Sequence, residues 1–213
     1  GSAPIPPSMD YGFNDLKDPN AYNPERSKQL LAEDGWKDTD GDGILDKDGK
    51  PLTFNFIVYN SRAELPLYAE AVQADLKKVG IDMKIKTVDY NLIDKMGQDG
   101  DYDMLISNIV TANTGDPIWF LANYWHTNNN GSNPQNGSGY SNPQVDQLLD
   151  AAETEFDPAK RRDYAMQIQQ LLMNDGAALF LGYPKTNIVT GSYLKGAVMY
   201  PSDYYWITNK ITK

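Results

Sequence analysis

The 213 residues carry 29 acidic and 19 basic side chains, a net charge of −10, and no cysteine. An acidic surface disfavours contact with a phosphate backbone, so nucleic acid is not an expected partner. The lack of cysteine excludes disulfides, zinc–thiolate sites, iron–sulfur clusters and a cysteine nucleophile, and the longest apolar runs are far shorter than the roughly 20 residues of a membrane-spanning helix.

Three helices are predicted from one start signal, an Asn or Asp followed by proline. The signal occurs at Asn23-Pro24, Asn142-Pro143 and Asp157-Pro158. The polar side chain caps the first turn, and proline is tolerated there because its missing amide hydrogen would be unpaired in any case. The last two helices are predicted over residues 144–154 and 159–174.

Strand and helix patterns alternate between the first two of these signals. Strands are predicted at residues 52–60, 82–88 and 102–108, with helices at 64–79 and about 91–96 between them. Parallel strands need crossover connections, which the helices provide. The fold class predicted from this order is α/β, with an open, mostly parallel sheet and flanking helices.

The remaining segments have weaker patterns. Residues 128–139 are rich in Asn, Gly and Ser and are expected to form an exposed loop. The end of the chain is predicted to be β-rich, with strands at 178–183, 186–189 and 197–200.

Open α/β sheets bind ligands at the carboxyl ends of their strands. That rule directs attention to residues 60–62, to residues 89–90 and above all to the loop after the third strand. The expected ligand-binding residues are Arg62, Asn108, Thr111, Asn113 and Trp119. Asn113 has the alternative role of stabilising a turn. In the aromatic stretch that follows, Trp119 or Trp125 is expected to face a ligand cleft, whereas Phe120 is expected in the core.

An acidic loop follows the first helix. Asp38, Asp40, Asp42 and Asp46 occupy positions 1, 3, 5 and 9 of a calcium-loop pattern. Position 12 is Gly49 instead of the usual bidentate glutamate, and a strand pattern follows instead of a helix. A polar turn is therefore the preferred interpretation, a weak Ca²⁺ site is the alternative, and no other cofactor is expected.

Catalytic signals are sparse. His126 is the only histidine, and no Gly-x-Ser-x-Gly elbow accompanies it, so hydrolase chemistry is not expected. As a metal ligand His126 would need partners from elsewhere in the chain. No carboxylate pair stands out among the acidic residues. The sequence predicts a protein that is not an enzyme.

Four stretches together resemble family 5 of bacterial extracellular solute-binding proteins, whose members serve peptides and nickel chelates. They are residues 22–36, residues 38–52, Tyr102-Asp103-Met104 with Gly115-Asp116-Pro117, and residues 139–146 with 157–162. The resemblance implies a lobe of the periplasmic-binding-protein type II kind. Residues 23–213 would form the carboxyl-terminal lobe, after a cloning remnant and linker at 1–22.

The resemblance also implies a function. Such a lobe would close with a missing amino-terminal lobe over a peptide or similar small solute and deliver it to ABC permease subunits. The location would be the periplasm, or the outer face of the cytoplasmic membrane by a lipid anchor. The alternatives are a protein that binds nickel or another metal chelate, and an interaction module without a transport role.

Ligand class is predicted from one loop of the family. In peptide-binding members an aspartate there pairs with the peptide amino group, and aligned on Asp116-Pro117 its position falls on Asn113, while a tryptophan position falls on Val110. A neutral amide makes a weaker bond to ammonium than a carboxylate does. For the nickel-chelate alternative, His126 lies near the histidine of the family.

Overall fold

The computed structural model describes residues 3–100, 102–111, 115–185, 187–198 and 208–213. The chain divides into two compact units. The sheet unit comprises residues 20–109 and 134–139, and the helical unit comprises residues 1–19, 110–133 and 140–213. Among the described residues, no helix combines the length and apolar character needed to cross a membrane.

The sheet unit is built on three parallel strands. Its elements are α1 (Pro24–Glu33), β1 (Asp46–Lys47), β2 (Lys50–Pro51), β3 (Thr53–Tyr59), α2 (Glu64–Lys77), β4 (Asp82–Val88), a 3₁₀ turn (Tyr90–Leu92), α3 (Ile93–Asp99) and β5 (Met104–Leu105). The sheet order is β4-β3-β5, and Phe56 of β3 lies opposite Ile85 on one side and Met104 on the other. The predicted α/β class with a parallel sheet and flanking helices is confirmed.

The core of this unit lies around β3. The central strand is buried from Phe56 to Tyr59, and α2 covers it with Leu65 and Ala69. The outer strand β4 instead alternates, since Met83 is buried while Lys84 and Lys86 are exposed. One face of β4 is therefore apolar and the other is charged.

The third strand is much shorter than the predicted 102–108. Before β5, the Asp103 carboxylate accepts the backbone N–H of Asn55 at 2.7 Å, which takes the place of a ladder bond. After β5, the backbone N–H of Asn108 donates to the Tyr59 hydroxyl at 2.9 Å instead of to a strand carbonyl. Side chains thus end the ladder at both sides of Met104–Leu105.

The acidic segment ends in a hairpin that the sequence analysis missed. β1 and β2 pair antiparallel, and the turn residues Asp48 and Gly49 both have positive φ, 53° and 73°. This is the backbone of a type I′ turn, for which Asp-Gly is a favoured pair. Beside it, Leu45 donates its N–H to the Gly80 carbonyl at 2.8 Å, so the segment is anchored at the end of α2.

The helical unit contains α4 (Ile118–Trp125), α5 (Pro143–Thr154) and α6 (Pro158–Asn174). The predicted starts at Asn23, Asn142 and Asp157 are confirmed, because each side chain accepts a backbone N–H of its own first turn. α5 and α6 pack on each other and on α4. Their fully buried contacts are made by Val145, Leu149, Ala152, Ala165, Ile168 and Leu172.

Residues 3–17 are bound to this unit by side chains that pair with their backbone. The Tyr183 hydroxyl accepts the Ala3 N–H at 3.1 Å and donates to the Ala3 carbonyl at 2.6 Å. Gln169, fully buried, accepts the Ile5 N–H at 3.1 Å and donates to the Tyr11 carbonyl at 2.9 Å. Ala3 and Ile5 are themselves buried. The domain boundary at residue 22 stays a prediction.

The prediction of a β-rich end is wrong for the described residues. Residues 178–183, 187–189 and 197–198 form no strand, and the pairing found there is one bridge between Lys195 and Thr212. Thr186 and residues 199–200 lie outside the described part of the chain. A strand needs a ladder partner, and here the segment is held by ring contacts, such as that of Phe180 with Trp125 at 6.2 Å between centroids.

The loop at 128–139 is exposed over most of its length, with a clear exception. Asn136 is only 3% exposed. Next to it, the Tyr102 hydroxyl donates to the Gly137 carbonyl at 2.5 Å, so this part of the loop packs into the sheet unit. Polar composition predicted exposure, but an amide can be buried when its hydrogen-bonding groups find partners.

Candidate functional site

Three polar segments meet at the carboxyl edge of the parallel sheet. Asn60, Ser61 and Arg62 follow β3 and are exposed. The residues after β4 begin with Asp89, whose carboxylate accepts the Asn91 N–H at 2.8 Å and so starts the 3₁₀ turn. Asn108 follows β5. The rule for ligand positions in such sheets makes this edge the candidate site of the unit.

Asn108 is fixed at this edge by two hydrogen bonds. Its backbone N–H is bonded to the buried Tyr59 as described, and its side-chain Nδ2 donates to Glu64 Oε1 at 3.1 Å. Glu64 is half-buried in the first turn of α2. The amide, the carboxylate and the phenol therefore form one connected polar group.

Tyr90 adds an exposed aromatic surface to the edge. Its ring is 57% exposed and meets the Tyr59 ring edge-on, with centroids 5.1 Å apart. Aromatic rings of this kind offer a large contact area at a low entropy cost. The edge thus combines an exposed guanidinium, an exposed ring and a carboxylate–amide pair, the last from Glu64 and Asn108.

The loop after Asn108 belongs to the helical unit. Asn113, the residue expected to set ligand class, lies outside the described residues, while Thr111 is half-buried. At the end of the loop, Asp116 accepts the Ile118 N–H at 2.9 Å and pairs with Arg161. Arg161 also donates to the Glu155 carbonyl at 2.8 Å, so Asp116 anchors this end of the loop to the helices.

The two tryptophans of α4 differ in solvent exposure. Trp119 is 46% exposed, whereas Phe120 and Trp125 are buried and meet at 4.9 Å between ring centroids. The expectation for Phe120 is confirmed, and Trp125 is a core residue instead of a cleft residue. Of the five expected ligand-binding residues, Arg62 and Asn108 lie in the sheet unit and Thr111 and Trp119 in the helical unit.

Three of the four predicted metal ligands lie together. The carboxylates of Asp38, Asp40 and Asp42 are exposed and have oxygens within 4.8 Å of one another. Asp38 accepts the N–H groups of Gly41 and Gly43 at 2.7 and 3.0 Å, as a polar turn requires. Asp46 instead accepts from the Thr39 hydroxyl at 2.7 Å. The weak Ca²⁺ site stays a prediction.

His126 ends α4 between two carboxylates of α5. Its Nδ1 lies 3.6 Å from Asp146 Oδ1 and 3.4 Å from the Thr127 carbonyl, and its Nε2 lies 3.2 Å from Asp150 Oδ1. Partial burial lowers the pKa of His126, but the Thr127 carbonyl and the two carboxylates outweigh it, so the net pKa is raised above 6.5. Both ring nitrogens therefore face acceptors within the helical unit.

Sequence reasoning missed Glu64 and Tyr59 as members of the edge group. Glu64 was seen only as the start of a helix, and Tyr59 as part of a strand pattern. A usable signal was present, because Glu64 opens the helix that follows β3 and so stands at the same edge as the strand end. Its pairing with Asn108, 44 residues later, is a tertiary contact that no local pattern encodes.

Comparison with known proteins extends over most of the chain. The family described as bacterial extracellular solute-binding proteins, family 5 Middle, matches residues 1–132. The oligopeptide-binding protein AppA of Bacillus subtilis is 31% identical over 187 residues, which are 84% of this chain and 33% of that protein. The chain thus spans about a third of the length of this curated relative.

Solved structures agree with this match. AppA of Bacillus subtilis in complex with a nonapeptide has a TM-score of 0.77 at 26% identity, over 99% of this chain and 42% of that one. NikA of Staphylococcus aureus in complex with Ni(L-His)₂ has a TM-score of 0.75 at 25% identity, over 99% of this chain and 42% of that one. The fold is of the periplasmic-binding-protein type II kind, and the chain belongs to the bacterial extracellular solute-binding proteins of family 5.

Proposed function

We propose that this chain is part of the substrate-binding component of an ABC importer, which captures a peptide or similar small solute and delivers it to the permease. The observation that carries the proposal is the carboxyl edge of the sheet. There Arg62, Tyr90 and Asn108 stand at the ends of three parallel strands, the place where open α/β sheets bind ligands. The proposed role is binding without a chemical step.

The relatives support a peptide as the solute. AppA is named for oligopeptide binding, and its structure at a TM-score of 0.77 holds a nonapeptide. The exposed groups at the edge suit such a ligand, because a guanidinium binds carboxylates and carbonyls while an amide and a carboxylate accept N–H groups. An exposed ring provides apolar contact for side chains.

A nickel or other metal chelate is the alternative solute, supported by the likeness to NikA. A direct bond from His126 to the metal would require one ring nitrogen to leave its present acceptor, since Nε2 faces Asp150 and Nδ1 faces Asp146 and Thr127. A chelate recognised through its organic part would not need this change. The His126 geometry therefore disfavours a direct bond to the metal, and the preference for a peptide rests on the likeness to AppA.

The proposal includes partners and a location. A further lobe of the same protein would complete the cleft, in keeping with the longer relatives, and permease subunits would receive the solute. Capture would take place outside the cytoplasmic membrane, either in a periplasm or on a lipid-anchored protein, as the family description implies. An interaction module without a solute is the opposing hypothesis.

Uptake by living cells tests the proposal. Cells that lack the gene for this chain should lose import of a labelled tripeptide mixture and retain import of nickel–histidine, with a plasmid copy of the gene restoring the difference. Loss of nickel–histidine import alone would establish the alternative. Unchanged import of both solutes would contradict a transport role and favour an interaction module.

A further inference from the structure

The Asn-rich loop contains the tripeptide Asn-Gly-Ser twice. The copies begin at Asn130 and Asn136, and these are the two Asn-Gly pairs of the chain. Such a pair is chemically labile, because glycine has no side chain to hinder the approach of its nitrogen to the asparagine side-chain carbon. The glycine and serine after each asparagine are the same, so a difference in reactivity between the copies would come from the structure.

The first copy lies in an exposed turn. Asn130, Gly131 and Ser132 are all exposed. The Ser132 N–H donates to the Asn129 carbonyl at 3.1 Å, and φ is 54° at Asn130 and 87° at Gly131, as in a type I′ turn. The Gly131 N–H has no hydrogen-bond acceptor within the described part of the chain. Little therefore opposes a rearrangement that brings this nitrogen to the Asn130 side chain.

The second copy is packed and bonded. Asn136 is 3% exposed, and its Oδ1 accepts the Ser138 hydroxyl at 2.9 Å. The Gly137 N–H donates to the Gln135 carbonyl at 2.9 Å, and a Cβ at Gly137 would lie only 3.2 Å from the Gly97 backbone. Both groups that would react are thus engaged, and they can meet only after this part of the loop has opened.

We propose that Asn130 is a site of spontaneous deamidation and that Asn136, in the same tripeptide, is protected by its packing. The Gly131 nitrogen attacks the Asn130 side-chain carbon and closes a succinimide ring, while the amide nitrogen leaves as ammonia and takes the Gly131 proton with it. Water then opens the ring at either carbonyl, which gives aspartate or isoaspartate. The net reaction consumes one water and releases one ammonia.

The products alter the segment that follows α4. Either product adds a negative charge to a chain whose net charge is −10. Isoaspartate also inserts a carbon atom into the main chain. The insertion falls between Asn128, whose Oδ1 accepts the Asn133 N–H at 3.0 Å, and Asn133, whose Nδ2 donates to the His126 carbonyl at 2.7 Å. The modified turn is therefore joined to the end of α4.

Peptide mapping by mass spectrometry tests the proposal. The folded protein is incubated in mildly alkaline buffer, and the asparagine, aspartate and isoaspartate forms of each peptide are separated. We expect conversion of Asn130 to be at least about tenfold faster than that of Asn136, because an exposed turn opens at a lower free energy than a packed segment. Asn129 is exposed but followed by asparagine, so it is the control for exposure alone and should stay unmodified.

Two further samples isolate the role of the fold. In urea the packing around Asn136 is lost, and both copies should react at similar rates because their following residues are the same. Asn130→Gln should remove the product from the folded protein, since the longer side chain would have to close a larger and less favourable ring. A thermal melt checks that this variant remains folded.

Three results would overturn the proposal. Equal rates at Asn130 and Asn136 in the folded protein would show that packing gives no protection. Conversion of Asn130 in urea but not in the folded protein would show that the turn itself protects the pair. Persistence of the same product in Asn130→Gln would place the reaction elsewhere. None of these results affects the proposed transport function, since no solute takes part in the reaction.

Discussion

Two irregular stretches of the helical unit differ in how their backbones are bonded. The main chain of residues 3–17 is bonded to Gln169 of α6 through Ile5 and Tyr11, and to Tyr183, a residue of the second stretch, through Ala3. In residues 178–198 the main-chain bonds include those of Leu194 with Gly191 and of Lys195 with Thr212, and Val189 is 93% exposed. Neither stretch forms a helix or strand among the described residues.

The comparison shows that lack of regular structure does not mean loose attachment. A segment without a ladder is part of the core when buried side chains provide the donors and acceptors that a neighbouring strand would otherwise provide. Gln169 does this for residues 3–17 from a position with no solvent exposure. The first stretch is therefore expected to contribute more to stability than the exposed part of the second stretch around Val189.

The largest expected effect is that of Gln169→Leu. The change leaves the Ile5 N–H and the Tyr11 carbonyl without their partner, and unsatisfied buried groups cost about 1–3 kcal/mol each. We expect the free energy of unfolding to fall by about 3 kcal/mol, measured by urea denaturation. Gln167→Leu on the exposed face of the same helix is the control. A loss equal to that of the control would show that residues 3–17 are not held by the amide.

Tyr183→Phe should have a smaller effect, because it removes the two bonds to Ala3 and keeps the ring. The ring packs edge-on against Phe13 at 5.9 Å between centroids, and that contact survives the change. We expect a loss of about 1–2 kcal/mol in the same measurement. Tyr193→Phe, at a residue 65% exposed, should be neutral. Equal effects of the two changes would mean that the link to Ala3 carries no stability.

The pH dependence of stability sharpens the contrast between neutral and charged contacts. The amide and phenol bonds to residues 3–17 should not respond to pH near neutrality, whereas His126 should. The pKa of His126 is raised in the folded protein, so its protonation stabilises the fold. This stabilisation is fully present below pH 6.5 and is lost as pH rises through the folded pKa.

Thermal melts across this pH interval provide the measurement for His126. The wild type should melt at slightly higher temperature in the acidic half of the range, and the difference should be small because Asp150 is 70% exposed. His126→Gln should remove this pH dependence, because glutamine cannot be protonated beside Asp146 and Asp150. The prediction fails if the variant keeps the full pH response of the wild type.

The smallest expected effect is that of Val189→Ser in the second stretch. The side chain is almost fully exposed, and exposed substitutions of this kind change stability by less than about 0.5 kcal/mol. Ile5→Ser, at a residue 1% exposed in the first stretch, is the matched change and should be strongly destabilising. Similar effects at the two positions would remove the distinction between the stretches.

Local signals in the sequence predicted much of the fold. The strand at 82–88 has the predicted bounds, and the three Asx-Pro starts cap their helices. The prediction failed where tertiary contacts determine whether a strand forms and where it ends. Side chains of Asp103 and Tyr59 shorten the third strand, and the apolar end of the chain lacks a ladder partner among the described residues.

The same distinction applies to the candidate site. The position of the edge, with Arg62 and Asn108, follows from strand order and could be predicted. The link from Asn108 to Glu64 joins residues 44 positions apart and depends on the register of β5 against β3. Local periodicity contains no information on that register, so the partner of Asn108 emerged only with the fold.

The charged face of β4 affects how the protein behaves in concentrated solution. Among the described residues β4 pairs with β3 alone, and an outer strand can recruit a strand from another molecule and so begin aggregation. Lys84 and Lys86 project from the exposed face of this strand, and two molecules that approached edge to edge would bring these like charges together. The two lysines thus oppose self-association through this strand, while Met83 on the opposite face is buried in the core.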